Sequence, residues 1–229
     1  MRILAAILAL VLALPATASD AGRIVVTGTG VASQAPDMAT ITLGVRAEAK
    51  TAVAALEQAS MAMRAVLEHL RAAGVAEEDL QTSDLALRPR YSNRSSSSDG
   101  PPTIAGFEAS NMLQVRLRDL SGVGEVLDMV TAEGANEFRS LQFGLQVPDP
   151  LRDAARVAAV KDAMARATLY AEAAGVPLGP VLEISEAGAA PRPVMRAEMS
   201  MMDAGGGVPV AGGELDMRAE VTMIFALGE

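Results

Sequence analysis

The stretch GFEASNMLQVRLRDLSGVGEVLDMVTAEGAN, residues 106–136, passes from a strand pattern to a helix pattern within two residues. In residues 109–117, apolar or small side chains alternate with polar ones, which is the period of a half-buried strand, and Asn111 is the one polar residue on the apolar side. After Asp119, a predicted N-cap, apolar residues recur at helical spacing until Gly134, which is placed to end the helix. The middle of the chain therefore predicts a strand followed by a helix, and it carries no catalytic motif.

The N-terminus has the three parts of a secretory signal peptide. Arg2 supplies a basic start, residues 3–14 form an apolar run, and Ala16-Thr17-Ala18 is a small-x-small cleavage site. The apolar run is shorter than the ~20 residues that a membrane-spanning helix needs, and no later stretch is apolar enough to span. We therefore predict that residues 1–18 are a signal peptide and that residues 19–229 form one exported, periplasmic domain with no transmembrane segment.

Charge and cysteine content limit the classes of partner and chemistry. The chain has 19 basic and 28 acidic residues, a net charge of −9, which disfavours nucleic acid and anionic membrane surfaces and leaves peripheral association with the envelope open. There is no cysteine, so disulfides, thiolate metal sites, thiol nucleophiles and acylated cysteine anchors are excluded. The stability of the domain must come from packing.

Period-two and helical spacing predict further elements on both sides of the central stretch. The predicted strands are 23–31, 39–48, 80–91, 138–147, 181–185 and 214–227, and the predicted helices are 51–73 and 150–174. Only Ala35-Pro36-Asp37 separates the first two strands, so we expect them to pair as neighbours. Residues 92–103 and 187–213 are rich in Ser, Gly and Pro, and we expect both to be flexible loops.

The order of these elements contains an internal repeat. Ala-Ala-Gly-Val occurs at 72–75 and again at 173–176, each time at the end of a long helix. Each helix follows a strand and precedes a strand, a low-complexity loop and a long strand. We therefore predict an α+β fold of two β-α-β-β-like units, with helices packed on an antiparallel or mixed sheet. The faces of the second long helix consist largely of alanine, so it can approach a sheet or another helix closely.

Four segments in this order resemble the SIMPL-domain family. They are VTGTGVASQAPDMATITLGV (26–45), LQTSDLALRPRY (80–91), the central stretch (106–136) and AAGVPLGPVLEISE (173–186). The resemblance covers essentially the whole mature chain and rests on the combination of segments. It implies an α+β periplasmic or exported protein with no established catalytic residues. It also implies ring-like or channel-like homo-oligomers and an association with oxidative and envelope stress.

Three motifs that resemble functional sites favour structural interpretations. The Gly-Thr-Gly of residues 28–30 follows a strand as a dinucleotide-binding motif does, but Ser33 stands at the third glycine position and Pro36 precedes strand alternation where a helix is required. His69, the only histidine, has no catalytic context and is interpreted as a boundary residue of its helix. The acidic cluster at 77–79 lacks the spacing of a calcium loop and is interpreted as a solvated turn. We therefore predict no catalytic residues and no cofactor.

Two classes of function remain after these exclusions. The first is a non-enzymatic homo-oligomer that protects against envelope or oxidative stress, assembled through the edges and faces of strands 112–118 and 214–227. A monomer is the alternative, in which edge charges such as Arg116, Arg118 and Glu220 discourage pairing. The second class is a small-ligand or soft-metal binding module.

The soft-metal hypothesis rests on four of the 13 methionines, which fall within eight residues of the second loop. They are Met195, Met199, Met201 and Met202. Thioether sulfur is a soft ligand that suits Cu(I), and exposed methionines can also be oxidised to sulfoxide. The alternative is that the four side chains pack as adaptable apolar filler against the body or a neighbouring subunit.

Overall fold

The computed structural model describes residues 22–92, 101–186, 193–196 and 210–228. In chain order the elements are β1 (Arg23–Gln34), β2 (Met38–Ala49), α1 (Ala52–Ala72), β3 (Leu80–Tyr91), β4 (Ile104–Leu117), α2 (Val123–Ala132), β5 (Glu137–Gly144), α3 (Asp149–Ala174), β6 (Leu178–Glu186), β7 (Pro193–Arg196) and β8 (Glu214–Leu227). A 3₁₀ turn, Glu77–Asp79, precedes β3. The bounds predicted for the strands at 80–91 and 214–227 are confirmed to the residue.

The strands form two antiparallel sheets with equivalent arrangements. Sheet I has the order β3-β4-β2-β5, and sheet II has the order β1-β8-β6, with β7 also paired to β8. Helix α1 packs on β2 and β4 of sheet I, and α3 packs on β1 and β8 of sheet II. The order β3-β4-β2 under α1 matches β6-β8-β1 under α3, which confirms the α+β class and the two β-α-β-β-like units.

The expected pairing of the first two strands is wrong. β1 pairs with β8 from Arg23 opposite Ala226 to Gln34 opposite Leu215, whereas β2 pairs with β4 and β5 in the other sheet. The reason lies in their covered faces, because β1 presents glycines to α3 while β2 presents Ile41 and Leu43 to the core under α1. The first strand of the second unit is therefore replaced: β5 precedes α3 in the chain but lies in sheet I, and β1 takes its place beside β8.

The strands expected to leave edges open are central strands. β4, which contains residues 112–118 almost entirely, lies between β3 and β2, and β8 lies between β1 on one side and β6 and β7 on the other. Both strands are 14 residues long and are largely buried on the helix side. Their long alternation therefore reflects the middle of a sheet, where both backbone edges find partners within the chain.

Sheet I is covered by a helix whose ends and buried face follow its sequence. Thr51 caps α1 by accepting a hydrogen bond from the Ala54 N–H at 3.3 Å, and Gly74 follows the helix with φ of +86°. The buried positions recur at intervals of three and four and pack on the β2 and β4 side chains. They are Ala55, Ala59, Met63, Val66 and Leu70.

Sheet II is built around an unusually close contact between α3 and β1. The buried face of α3 carries alanine at every fourth position from Ala155 to Ala171. Opposite these alanines, Gly28 and Gly30 leave so little room that a Cβ on Gly30 would lie 2.1 Å from the Ala155 carbonyl oxygen. The close approach expected from the small face of α3 is confirmed, and the Gly-Thr-Gly motif is explained as the strand half of this contact.

Several boundaries differ from the sequence predictions, since β1, β4 and β6 are longer than predicted and further differences lie around α3 and in the second loop. β5 ends at Gly144, because the backbone N–H and the side-chain amide of Gln146 bind Asp37 instead, at 2.7 and 2.9 Å. α3 begins at Asp149, one residue before the predicted start. The interval 187–213, expected to be a loop, contains β7, whose backbone pairs with the first residues of β8.

The ends of the loop expected at 92–103 are held together by Ser92 and Thr103, whose backbone groups hydrogen-bond at 2.9 Å. Residues 93–100 lie outside the described residues, as does the predicted signal peptide at 1–18. Across the described ranges, no helix is both long and apolar enough to cross a membrane.

Candidate functional site

The first candidate site is a cleft at the end of sheet I, where β4 leaves the sheet between the end of α1 and the start of α2. Its volume is about 360 Å³, and Gly74, Asp79, Arg116, Arg118 and Gly122 lie in its walls. A neighbouring hollow of about 550 Å³ shares Asp119, Gly122 and Val126 with it. The cleft is therefore a shallow depression that contains four charged side chains, Asp79, Arg116, Arg118 and Asp119.

Asp79 is the buried centre of the charges in this cleft, and it is only 4% exposed. The guanidinium of Arg118 donates to both of its carboxylate oxygens, at 2.7 and 3.0 Å, and Nε of Arg116 lies 3.3 Å from Oδ1. The hydrogen bonds from Arg118, helped by the charges of Arg118 and Arg116, outweigh desolvation and lower the pKa of Asp79. The carboxylate therefore stays ionised inside the protein.

The acidic cluster at 77–79 is not a solvated turn as a whole. The 3₁₀ turn directs Asp79 inward to β4, and Glu78 accepts a hydrogen bond from Arg118 at 2.8 Å. Glu77 binds Arg71 of α1 at 2.7 and 2.8 Å, and these hydrogen bonds lower its pKa. The sequence signal for these pairs was the period-two spacing of Arg116, near the end of β4, and Arg118, which directly follows the strand.

The prediction that Asp119 is the N-cap of α2 is wrong. The N-cap position is Gly122, and Oδ1 of Asp119 accepts from the Ser121 hydroxyl at 2.7 Å and from the Ser121 N–H at 2.9 Å. The hydroxyl bond is the larger cause of the lowered pKa of Asp119. Asp119 therefore stabilises the turn that leads into the helix.

The chemistry of the cleft is that of ion pairing. Its two arginines are directed at carboxylates of the chain itself, which fits a contact that joins the 3₁₀ turn to β4. His69 lies elsewhere, with Nε2 3.4 Å from Glu133 of α2 and Nδ1 2.9 Å from the Ala65 carbonyl oxygen. In the described part of the chain, no group of three His, Asp or Glu side chains is placed to hold a metal ion.

The methionines of the soft-metal hypothesis are mostly outside the described residues. Met195 lies in β7, with its backbone opposite Leu215 of β8. Met199, Met201 and Met202 are not among the described residues. The soft-metal site therefore stays a prediction.

The second candidate site consists of strand edges. The terminal strands of the two sheets are β3 and β5 in sheet I, and β1, β6 and the short β7 in sheet II. The edge of β1 is guarded by α3, because Oδ2 of Asp162 accepts the backbone N–H of Thr29 at 2.8 Å and is itself held by Arg166 at 2.9 Å. The Thr29 N–H is the main cause of the lowered pKa of Asp162. An incoming strand would have to displace this carboxylate.

Among the described residues, no side chain is hydrogen-bonded to the free backbone edge of β3 or β6, and both strands carry exposed apolar side chains, as the terminal strand β5 does at Phe138. Leu85 and Leu87 of β3 are 59% and 44% exposed, and Leu182 and Ile184 of β6 are 61% and 57% exposed. Sequence reasoning missed these two strands and favoured β4 and β8. A signal was available, because β3 contains Pro89 and β6 contains Pro180, and proline within a strand is confined to sheet edges, strand starts and bulges.

Comparison with known proteins gives matches along most of the chain. The model of a family described as SIMPL, a protein of unknown function (DUF541), matches residues 24–225. The 26 kDa periplasmic immunogenic protein of Brucella melitensis is 37% identical over 211 residues, which span 90% of this chain and 84% of the relative. The uncharacterised YggE proteins of Edwardsiella ictaluri and Escherichia coli K12 are 33% and 32% identical, over 71% and 72% of this chain and 66% and 65% of their own lengths.

Proposed function

Because this chain belongs to the SIMPL family, we propose that it is an exported periplasmic protein without enzymatic activity that assembles into a homo-oligomer and protects against envelope or oxidative stress. The printed name of the Brucella relative, which calls that protein periplasmic, supports the location. The basic start, apolar run and Ala-Thr-Ala site of residues 1–18 support export by a cleaved signal peptide.

The observation that carries the proposed assembly is the set of exposed apolar side chains on the terminal strands β3, β5 and β6. Strand edges with exposed apolar side chains are places where another chain can add a strand, and soluble proteins usually protect them. Here α3 guards β1 through Asp162, while β3 and β6 each expose leucine or isoleucine. A second copy of the chain would cover these residues and pair the open backbone groups.

The absence of enzymatic activity is supported by the character of the charged groups. The buried carboxylate Asp79 is neutralised by Arg118 and Arg116, and the lowered pKa of Asp79 makes it a poor base near neutral pH. A protective role is supported by the 13 methionines, which can take up oxidant as sulfoxide, in a chain that has no cysteine.

We predict that the protein from the periplasmic fraction begins at Ser19 and is larger than one chain in solution. Intact-mass spectrometry gives the start of the mature chain, and light scattering across micromolar concentrations gives the assembled mass. A spectrum that retains residues 1–18 contradicts cleavage after Ala18. A scattering mass equal to that of one chain at every concentration contradicts the homo-oligomer.

The alternative function is a soft-metal or small-ligand binding module that uses Met195, Met199, Met201 and Met202. Four thioethers within eight residues favour it, because Cu(I) prefers such ligands. We predict that leucine at all four positions abolishes Cu(I) binding, whereas the matched change Met61→Leu, at an exposed position of α1, leaves it intact. Equal Cu(I) affinity of the native and four-leucine proteins in a competition titration contradicts this function.

A further inference from the structure

The methionines of the described residues differ widely in exposure. Met61 of α1 and Met164 of α3 are 59% and 48% exposed. Two others, Met38 and Met129, are half-buried. Four are buried, at no more than 3% exposed: Met63, Met112, Met217 and Met223. A thioether reacts with an oxidant only where the oxidant can reach the sulfur, so these groups should differ in reactivity.

We propose that Met61 and Met164 are residues at which the folded protein consumes peroxide. The methionine sulfur attacks one peroxide oxygen, the O–O bond breaks, and the S–O bond of methionine sulfoxide forms. The second oxygen leaves as hydroxide and takes the proton of the first, which gives water. Each methionine thereby loses two electrons to one molecule of hydrogen peroxide. This inference rests on the proposed protection against oxidative stress and names the residues that react.

The internal repeat supplies a matched pair of methionines. Met63 of α1 and Met164 of α3 each lie nine residues before an Ala-Ala-Gly-Val sequence, so they hold equivalent positions in the two units. Met63 belongs to the face of α1 that packs on β2 and β4. The buried face of α3 is instead its alanine series, which includes Ala163 and Ala167 and leaves out Met164. The same residue type is therefore buried in one unit and exposed in the other.

The close contact of α3 with β1 accounts for this difference. A Cβ on Gly28 would lie 2.4 Å from the backbone nitrogen of Ala163 and 2.7 Å from its Cβ. A side chain as large as methionine does not fit at this contact, so α3 presents Ala163 to the strand and leaves the adjoining Met164 outside it. The exposure of Met164 thus follows from the packing of sheet II.

Oxidation at the two exposed positions should leave the fold intact. Sulfoxide is polar, and on an exposed helix face its oxygen can be hydrated. On Met63 the same oxygen would be buried among apolar side chains such as Val66 and Leu70, where an unpaired polar group destabilises the core. Methionine sulfoxide can also be reduced back to methionine, so the exposed residues can react repeatedly while the core stays packed.

Peptide mapping by mass spectrometry tests the assignment because it reports each methionine separately. In the mature protein treated with hydrogen peroxide, Met61 and Met164 should form sulfoxide about tenfold or more faster than Met63, whose sulfur reacts only when the fold opens. Circular dichroism should stay unchanged until Met63 reacts, and the three rates should be equal in urea-unfolded protein. Equal rates in the folded protein would overturn the proposal. So would loss of the dichroism signal while only Met61 and Met164 are oxidised.

Substitution by leucine tests the consumption of peroxide. Leucine resembles methionine in size and helix propensity and lacks the sulfur, so Met61→Leu/Met164→Leu should fold normally. This variant should consume two fewer molecules of hydrogen peroxide per chain before the fold is lost, measured by assay of the remaining peroxide. Met63→Leu, at the equivalent but buried helix position, is the matched control and should consume the native amount over that period. Native consumption by the double variant contradicts the proposal.

Survival under peroxide separates this inference from the proposed protective role. In a host strain that lacks the protein, the native gene should raise survival, and the double leucine variant should raise it less. A native gene that gives no gain overturns the protective role, whereas the mass spectra alone decide whether Met61 and Met164 react. Equal gain from the native and double variant genes leaves the protective role standing and overturns its assignment to these two residues.

Discussion

Gly30→Ala is expected to lower the free energy of unfolding by about 3 kcal/mol or more, the upper end of what overpacking a core costs. The added Cβ would lie 2.1 Å from the carbonyl oxygen of Ala155 and 2.3 Å from the backbone nitrogen of Ala159. Both are backbone atoms of α3, so no side-chain rotation relieves the contact and the helix itself must move away from β1. Gly28→Ala should behave in the same way, since its Cβ would lie 2.2 Å from the Ala159 carbonyl oxygen.

Urea unfolding followed by circular dichroism measures this effect, and Gly122→Ala is the matched control. Nothing lies within 4 Å of a Cβ on Gly122, and its φ of −88° suits any residue. The control should therefore lose no more than about 1 kcal/mol, the cost of alanine in place of glycine at an N-cap. The further change Ala155→Gly should not rescue Gly30→Ala, because the nearest clash is with the backbone. A Gly30→Ala protein with native stability would show that α3 does not sit this close to β1.

Asp79→Ala is expected to lower the free energy of unfolding by about 2 kcal/mol, the range for charge-assisted hydrogen bonds. The change removes the carboxylate that joins the 3₁₀ turn to Arg116 of β4 and to Arg118, which directly follows the strand. The arginines remain half-exposed and can be hydrated, which limits the loss. Asp128→Ala, which removes an exposed carboxylate from α2, is the control and should change the urea midpoint little.

In acid, the free energy of unfolding of Asp79→Ala should depend less on pH than that of the native protein. The pKa of Asp79 is lower in the folded protein than in the unfolded chain, where it is near the ordinary value of about 4. Its contribution is therefore complete above that ordinary value and is lost as the pH falls through the folded pKa. The native protein should therefore lose more stability than Asp79→Ala as the pH falls below about 4 and approaches the folded pKa. Parallel curves for the two proteins would contradict this assignment.

Local features of the fold followed from the sequence, whereas strand partners did not. The alternation in 214–227 and the helical spacing closed by Gly74 depend on neighbouring residues, and both elements appear where the pattern placed them. Strand pairing joins residues that are far apart in the sequence, such as Arg23 and Ala226. A pattern within one short segment does not predict which distant strand will be its partner. The three-residue link at 35–37 favoured a hairpin of β1 and β2. The two strands lie in different sheets because β1 presents small side chains to its helix and β2 presents large ones.

The candidate sites were hidden for related reasons. Asp79 belongs to a run of acidic residues that is typical of a solvated turn, and its burial follows from the position of Arg118, 39 residues later. The glycines of β1 resemble part of a nucleotide motif in the sequence, and the alanine face of α3, which is their partner, lies more than 120 residues later. Each half of the contact was visible in the sequence, but only the sheet topology brings Gly30 to Ala155.

The placement of β1 beside β8 has a consequence for the order in which the protein can fold. Chains emerge from the ribosome, and thread through an export channel, from the N-terminus onward. All strands of sheet I are complete once Gly144 has emerged, so sheet I can form early, whereas β1 waits for Leu227 before its ladder can close. Because the two strands are so far apart in the sequence, the pairing of β1 with β8 should be the slow step of folding. The glycine face of β1 stays uncovered until that pairing is complete. A nascent chain stalled before β8 would hold a folded first half and an unpaired first strand.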